Sequence, residues 1–162
     1  MGMAKALRKL LDDAEIAYEV IDHSFRVTSK DIANSAHIAS DRLAKSVLLH
    51  DEKGYVIAVL AGSHMIDLVK LKELTGRDLK MASEDEIGVI FRDCDLGAIP
   101  PVGAAYGLEV VMGKDLDGTP DVYFEAGDHR LLVRVAGTDF GKLMEGAQRG
   151  EFHQSSSTPS TP

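Results

Sequence analysis

The chain has 162 residues, one cysteine and no tryptophan. A lone thiol, Cys94, excludes an intramolecular disulfide and any cysteine-cluster zinc site. Long hydrophobic runs are missing as well. Nothing approaches the ~20 apolar residues that a membrane span requires. The opening M-G-M-A-K-A-L-R-K-L-L-D-D is broken by charge every few positions, unlike the apolar core of a secretory signal. Together these absences predict a protein of the reducing cytoplasm with no membrane partner. The glycine-rich phosphate loops G-x-x-x-x-G-K-[ST] and G-x-G-x-x-G are absent, as are H-E-x-x-H and G-x-S-x-G. No two of His23, His37, His50, His64, His129 and His153 stand three or four apart on a predicted helix. That excludes a local metal pair and leaves open only a site assembled from distant histidines.

Positive charge is scarce. Lys and Arg number 18 against 26 Asp and Glu, a net charge of -8. A generally basic nucleic-acid coat is excluded. The deficit is uneven, however. Residues 1–80 carry 12 basic and 12 acidic side chains, and residues 81–162 carry 6 and 14. Arg42, Lys45 and Lys53 lie in the balanced half, so a small RNA-binding face there stays possible.

What is present is a core. Hydrophobic residues make up 44% of the chain, enough for one domain at this length. We expect residues 1–150 to form one compact unit and the Ser/Thr/Pro-rich 151–162 to be a disordered tail. Met3, Ala6, Leu7, Leu10, Leu11 and Ala14 trace one face of a helix. Residues 17–22 read as a strand. Thr28–Asp31 opens a short helix. Residues 44–50 and 55–61 read as a hairpin around D-E-K-G, and the second strand is apolar enough to be buried on both faces. Residues 67–75 read as a helix with Leu68, Leu71 and Leu74 inward and Gly76 as its stop. Ser83-x-x-Glu86 is a capping box. Residues 108–112, 121–125 and 131–135 read as strands, and Thr138 as the cap of a last helix. The order predicts a mixed α/β or α+β domain without the regular alternation of a doubly wound fold.

Chemistry has few candidates. Gly97-Ala98-Ile99-Pro100-Pro101-Val102-Gly103 is a rigid loop. Its two prolines fix φ, and its flanking glycines allow close backbone approach. Amides of Gly97, Ala98 and Ile99 could polarise a carbonyl, or the loop could be a stiff connector. Lys45 opens an apolar strand and suits the mouth of a pocket, or it snorkels at the surface. Asp128 and His129 could be an acid–base or recognition pair, or a polar hairpin tip. Cys94, between Asp93 and Asp95, is a poor nucleophile because both carboxylates disfavour its thiolate.

D-H-S at 22–24, A-K-S-V-L-L at 44–49, D-L-V-K-L-K-E-L-T-G at 67–76, G-A-I-P-P-V-G at 97–103 and F-E-A-G-D-H-R-L-L-V at 124–133 occur in that order. This constellation resembles the YbaK-type aminoacyl-tRNA deacylases, relatives of the editing domain of bacterial prolyl-tRNA synthetases. The resemblance spans roughly residues 3–145. It implies a single YbaK-like domain with a curved, mostly antiparallel sheet and flanking helices. It also implies hydrolysis of the ester joining a wrong, small amino acid to tRNA, with proline tRNA among the candidates, and neither cofactor nor metal. Lys45 and the Gly97, Ala98 and Ile99 amides take the catalytic positions. His23, Ser46, Pro100, Pro101, Gly103, Gly127, Asp128 and His129 take substrate-binding positions. Pro100 departs from the family, where a serine often precedes the loop's proline.

The implied partners are the acceptor end of a mischarged tRNA and an aminoacyl-tRNA synthetase. With no room for a synthetase core, the expectation is a free-standing editing enzyme. The competing readings are a non-catalytic module that binds aminoacyl-tRNA or a synthetase, and a hydrolase of some other small acyl ester. The resemblance leaves room for a substrate hydroxyl to help deliver the proton, and it does not identify the proton acceptor.

Overall fold

The computed structural model describes residues 2–22 and 40–155. The D-H-S segment, the helix expected from Thr28 and the end of the tail lie outside them. Helix α1, Lys5–Asp13, turns Leu7 and Leu11 into the core, as their i, i+4 spacing dictates. Strand β1 is Tyr18–Asp22. Strands β2, Leu43–Asp51, and β3, Gly54–Ala61, form the expected hairpin. Asp51 pairs with Gly54, so Glu52 and Lys53 alone make the turn, and Gly54 takes φ +134°.

Helix α2, Leu68–Thr75, is capped by Asp67, whose carboxylate accepts the Val69 and Lys70 amides, and it ends at left-handed Gly76. Strand β4 is the short Lys80–Met81. The Ser83/Glu86 capping box opens α3, Glu84–Ile90. Then follow β5, Glu109–Gly113; β6, Asp121–Glu125; β7, Leu131–Ala136; α4, Gly137–Leu143; and β8, Gln148–Gly150.

Among the described residues the strands make one eight-stranded sheet, ordered β1-β7-β6-β2-β3-β5-β8, with β4 paired to β2. Its long ladders are antiparallel. The β2/β3 ladder has eight residue pairs, and β1/β7 and β6/β7 have five each. The parallel ladders β2/β6, β3/β5 and β5/β8 are shorter. The mixed α/β, mostly antiparallel fold is therefore present.

Strand β3 shows why the sheet sits in the middle. Ile57, Val59 and Ala61 join the core on one face, with Leu7, Leu11, Phe91 and Phe140. Val56, Ala58 and Leu60 join the other, with Leu71, Leu79 and Phe152. A period of two with both sets apolar demands cover on both faces.

Three expectations are corrected. Leu68 is exposed, because only Leu71 and Leu74 of α2 turn toward the sheet. Thr138 does not cap α4; Ala136 stands at that position and gives no side-chain bond. The ordered chain also runs past residue 150. Phe152 is 1% exposed, its carbonyl accepts the Asp67 amide, and Gln154 bonds to the Met65 carbonyl. One aromatic ring with somewhere to pack offsets the ordering entropy that a polar composition alone could not. Phe152→Ala is expected to cost about 3–5 kcal/mol. A thermal melt should fall by roughly 10 °C.

Candidate active site

The parallel β2/β6 ladder holds for only two pairs, Leu43–Tyr123 and Ala44–Phe124. The next residues on the two strands are Lys45 and Glu125. Where the strands part there is a cavity of about 100 Å³, lined by Leu43, Ala44, Lys45, Ser46, Gly97, Ile99 and Glu125. The proline loop thus meets β2 beside the lysine.

Lys45 is half-buried. Its Nζ donates to the His64 carbonyl, beyond the end of β3. Burial lowers its pKa from the ordinary lysine value, and the negative charge of Asp115 partly opposes that. Asp115 is nearly buried, and its Oδ2 accepts the Ala61 amide at 3.1 Å and bonds His64 Nδ1 at 2.7 Å. The His64 ring stacks on His153 with centroids 4.0 Å apart. The C-terminal segment therefore steadies the backbone that holds Lys45. His64, Asp115 and His153 are the distant residues that could make a metal site, with ligand atoms within 4.8 Å of one another. Asp115 Oδ2 makes the bonds to Ala61 and His64, while its Oδ1 is buried with no hydrogen-bond partner among the described residues.

Gly97, at φ +83°, and Ile99 present amides with no partner among the described residues. Ala98 does not share this role. It is fully buried, and its N–H is spent on the Asp95 carbonyl at 3.1 Å. Pro100, Pro101 and Gly103 are buried outside the cavity lining. A Cβ at Gly103 would lie 2.3 Å from Val110, which marks a packing role. Gly127 holds the loop in place. Its carbonyl accepts the Asp95 amide at 2.8 Å, and the neighbouring Ala126 carbonyl accepts Ala4 at 2.7 Å.

Asp128 accepts the Arg130 amide at 2.8 Å and so shapes its own turn. Asp128 and His129 are both buried but do not line the cavity. Ser46 does line it, and its Oγ is buried without a hydrogen-bond partner among the described residues. His23 lies outside those residues.

Glu125 was not singled out from the sequence. It is 7% exposed on the cavity wall. Burial raises its carboxyl to about 8, with the charges of Asp128 and Asp95 adding to the shift. The available signal was its place at the end of a strand, two residues before the turn glycine, but strand pairing is needed to set it beside Lys45. Cys94 is pushed up to about 12 by burial and by Asp93 and Asp95, which leaves it a thiol at neutral pH.

Comparison with known proteins agrees with the resemblance. The family model for the aminoacyl-tRNA editing domain matches residues 23–143. The proline--tRNA ligase of Xanthomonas oryzae pv. oryzae (strain MAFF 311018) is 30% identical over 116 residues, 71% of this chain and 20% of that protein. The proline--tRNA ligase of Thiobacillus denitrificans (strain ATCC 25259 / T1) is 29% identical over 122 residues, 74% and 21% respectively. The chain spans about a fifth of the length of these relatives. A solved structure of a candidate trans-editing enzyme for prolyl tRNA synthetase superposes with a TM-score of 0.78 at 24% identity, covering 95% of this chain and 100% of that one. At that identity the likeness speaks to the fold.

Proposed function

The chain belongs to the aminoacyl-tRNA editing domain family, and from that premise we propose that it is a trans-editing deacylase. It cleaves the ester between a small, wrongly attached amino acid and tRNA. The observation that carries the proposal is the cavity lined by Lys45 together with Gly97 and Ile99, whose amides have no partner among the described residues.

An aminoacyl ester is already activated, so positioning and carbonyl polarisation can supply much of the catalysis. The Gly97 and Ile99 amides receive the charge that develops on the carbonyl oxygen. Lys45 binds the phosphate of the terminal adenosine or a polar group of the substrate. Selection is by size. A pocket of about 100 Å³ is smaller than the ~150 Å³ that takes a benzene ring. Discrimination by a single methylene in a synthetase pocket is worth only ~1–3 kcal/mol, so a second, small pocket corrects what the first admits.

Overlap with the whole of one candidate trans-editing enzyme supports action in trans. Similarity to proline--tRNA ligases supports proline tRNA as substrate and their synthetase as partner. A tRNA substrate supports the cytoplasm as the site of the reaction. Among the described residues no helix is long and apolar enough to cross a membrane.

A panel of mischarged tRNAs tests the proposal. One small amino acid should be released in single-turnover assays. The logarithm of tRNA affinity should fall with the logarithm of salt at a slope of about -1 to -3, as one to three phosphate contacts give. Binding with no release from any member would make the chain a binding module. Release without salt-dependent binding would indicate a substrate other than tRNA.

A further inference from the structure

Asp115 lies in the short 3-10 turn Lys114–Leu116 after β5, and its side chain is 5% exposed. Its ion-pair partners among the described residues are both histidines, His64 Nδ1 at 2.7 Å and His153 Nδ1 at 3.9 Å. Lys45 acts on it through charge alone, because the ammonium is bonded to the His64 carbonyl. A buried charge is paired or coordinates a metal. Histidine pairs with a carboxylate only as imidazolium, and two imidazoliums with ring centroids 4.0 Å apart would repel each other. Neutral rings stack freely, and each keeps a lone pair.

We propose that His64, Asp115 and His153 form a binding site for a divalent transition cation of the zinc class. Two imidazoles and one carboxylate suit such an ion, whereas calcium and magnesium call for oxygen throughout. Each side chain offers one donor atom, and the three lie within 4.8 Å of one another. Bonds of ~2.0–2.1 Å in a tetrahedron set donors about 3.3 Å apart. Tilting the two part-exposed rings reaches that spacing, and their exposure leaves a position for water. The ligands are already supported from behind. Asp115 Oδ2 accepts the Ala61 amide at 3.1 Å, the His153 carbonyl accepts from Lys70 Nζ at 3.0 Å, and His153 bridges Ile66. Such outer bonds orient ligands and cut the cost of ordering them.

None of the three residues lines the Lys45 cavity, so the inference stands apart from the deacylase reading. The role of the ion is structural. It clamps the chain beyond β3, the turn after β5 and the C-terminal segment at one point, beside the carbonyl that holds Lys45. An ion that binds only the folded chain adds its binding free energy to folding.

The test uses the full chain, stripped with a chelator, and Zn(II) as the probe. Competition with a chromophoric chelator should show one equivalent bound with a Kd below ~10 µM. Zn(II) at a hundred times Kd should raise the melting temperature by roughly 5–10 °C. The first equivalent should shift the ring resonances of His64 and His153. His153→Gln and Asp115→Asn should each weaken binding at least ~10-fold, the lower end of the loss for an outer-shell partner alone, and shrink the thermal gain to match. His50→Gln should leave the Kd unchanged. Weaker binding by the wild type overturns the site. Affinity retained by either folded variant also overturns it, because the ion then sits elsewhere. If Asp115→Asn does not fold, His153→Gln decides alone on the same criterion. A protein that binds Zn(II) as described but releases no amino acid overturns the deacylase reading and leaves this site standing.

Discussion

Lys45→Met should lower kcat/KM for the mischarged tRNA by roughly 10- to 150-fold. A bond to a charged group is worth ~1.5–3 kcal/mol, and this one forms with the substrate. Methionine is the informative replacement because it keeps the apolar stem and removes only the ammonium. Stability should hold or rise. Burial already lowers the lysine pKa, so the folded protein carries this charge at a cost that Asp115 offsets only in part. Lys45→Arg should not restore the rate. The guanidinium is a wide planar fork, and the cavity is about 100 Å³. Full activity in the methionine variant would remove Lys45 from the site. A deep loss of both rate and thermal stability would assign it to the fold instead.

The sheet-forming runs, the β2/β3 turn, both ends of α2 and the capping box of α3 are all legible in the sequence. Each is fixed by local chemistry: alternation, a two-residue turn closing on Gly54, an Asp cap, a left-handed Gly76. The failures share a cause. Strands β4 and β8 are two and three residues long and exist through their partners, so no periodicity announces them. Phe152 is ordered by a groove made from residues some 80 positions earlier.

The site divides in the same way. Lys45 and the proline loop stand out because a lysine opening an apolar strand and a double proline are locally odd. Glu125 looks ordinary in F-E-A-G-D and becomes a cavity wall only because β6 runs parallel to β2 for two residues and then leaves it. The Ala98 amide fails for the opposite reason. Sequence counts a donor, and only the folded loop shows that Asp95 has taken it.

The dependence of this cavity on its supports is sharpest at Gly127. Its φ of +100° is a conformation that residues with a Cβ rarely adopt. A Cβ there would stand 2.7 Å from Ala4 Cβ, 3.2 Å from Ala4 N and 3.3 Å from Cys94 Sγ. The two nearest atoms belong to Ala4 and are fixed to its backbone, so relief requires the start of α1 to move. Backbone strain of about 1–3 kcal/mol adds to overpacking of similar size. Gly127→Ala should therefore lower the melting temperature by roughly 10 °C. It should also reduce deacylation well below that temperature. The Asp95–Gly127 bond ties the Gly97–Ile99 loop to the turn that follows Glu125, so a displaced turn shifts two walls of the cavity together. Gly141→Ala is the matched control. It lies inside α4 with nothing within 4 Å of the new Cβ, and helix propensity predicts a neutral or slightly stabilising change of up to ~1 kcal/mol. Equal melting temperatures for the two variants would show that the close approach at Gly127 relaxes without cost, and the coupling between hairpin and loop would then be lost from the account of the site.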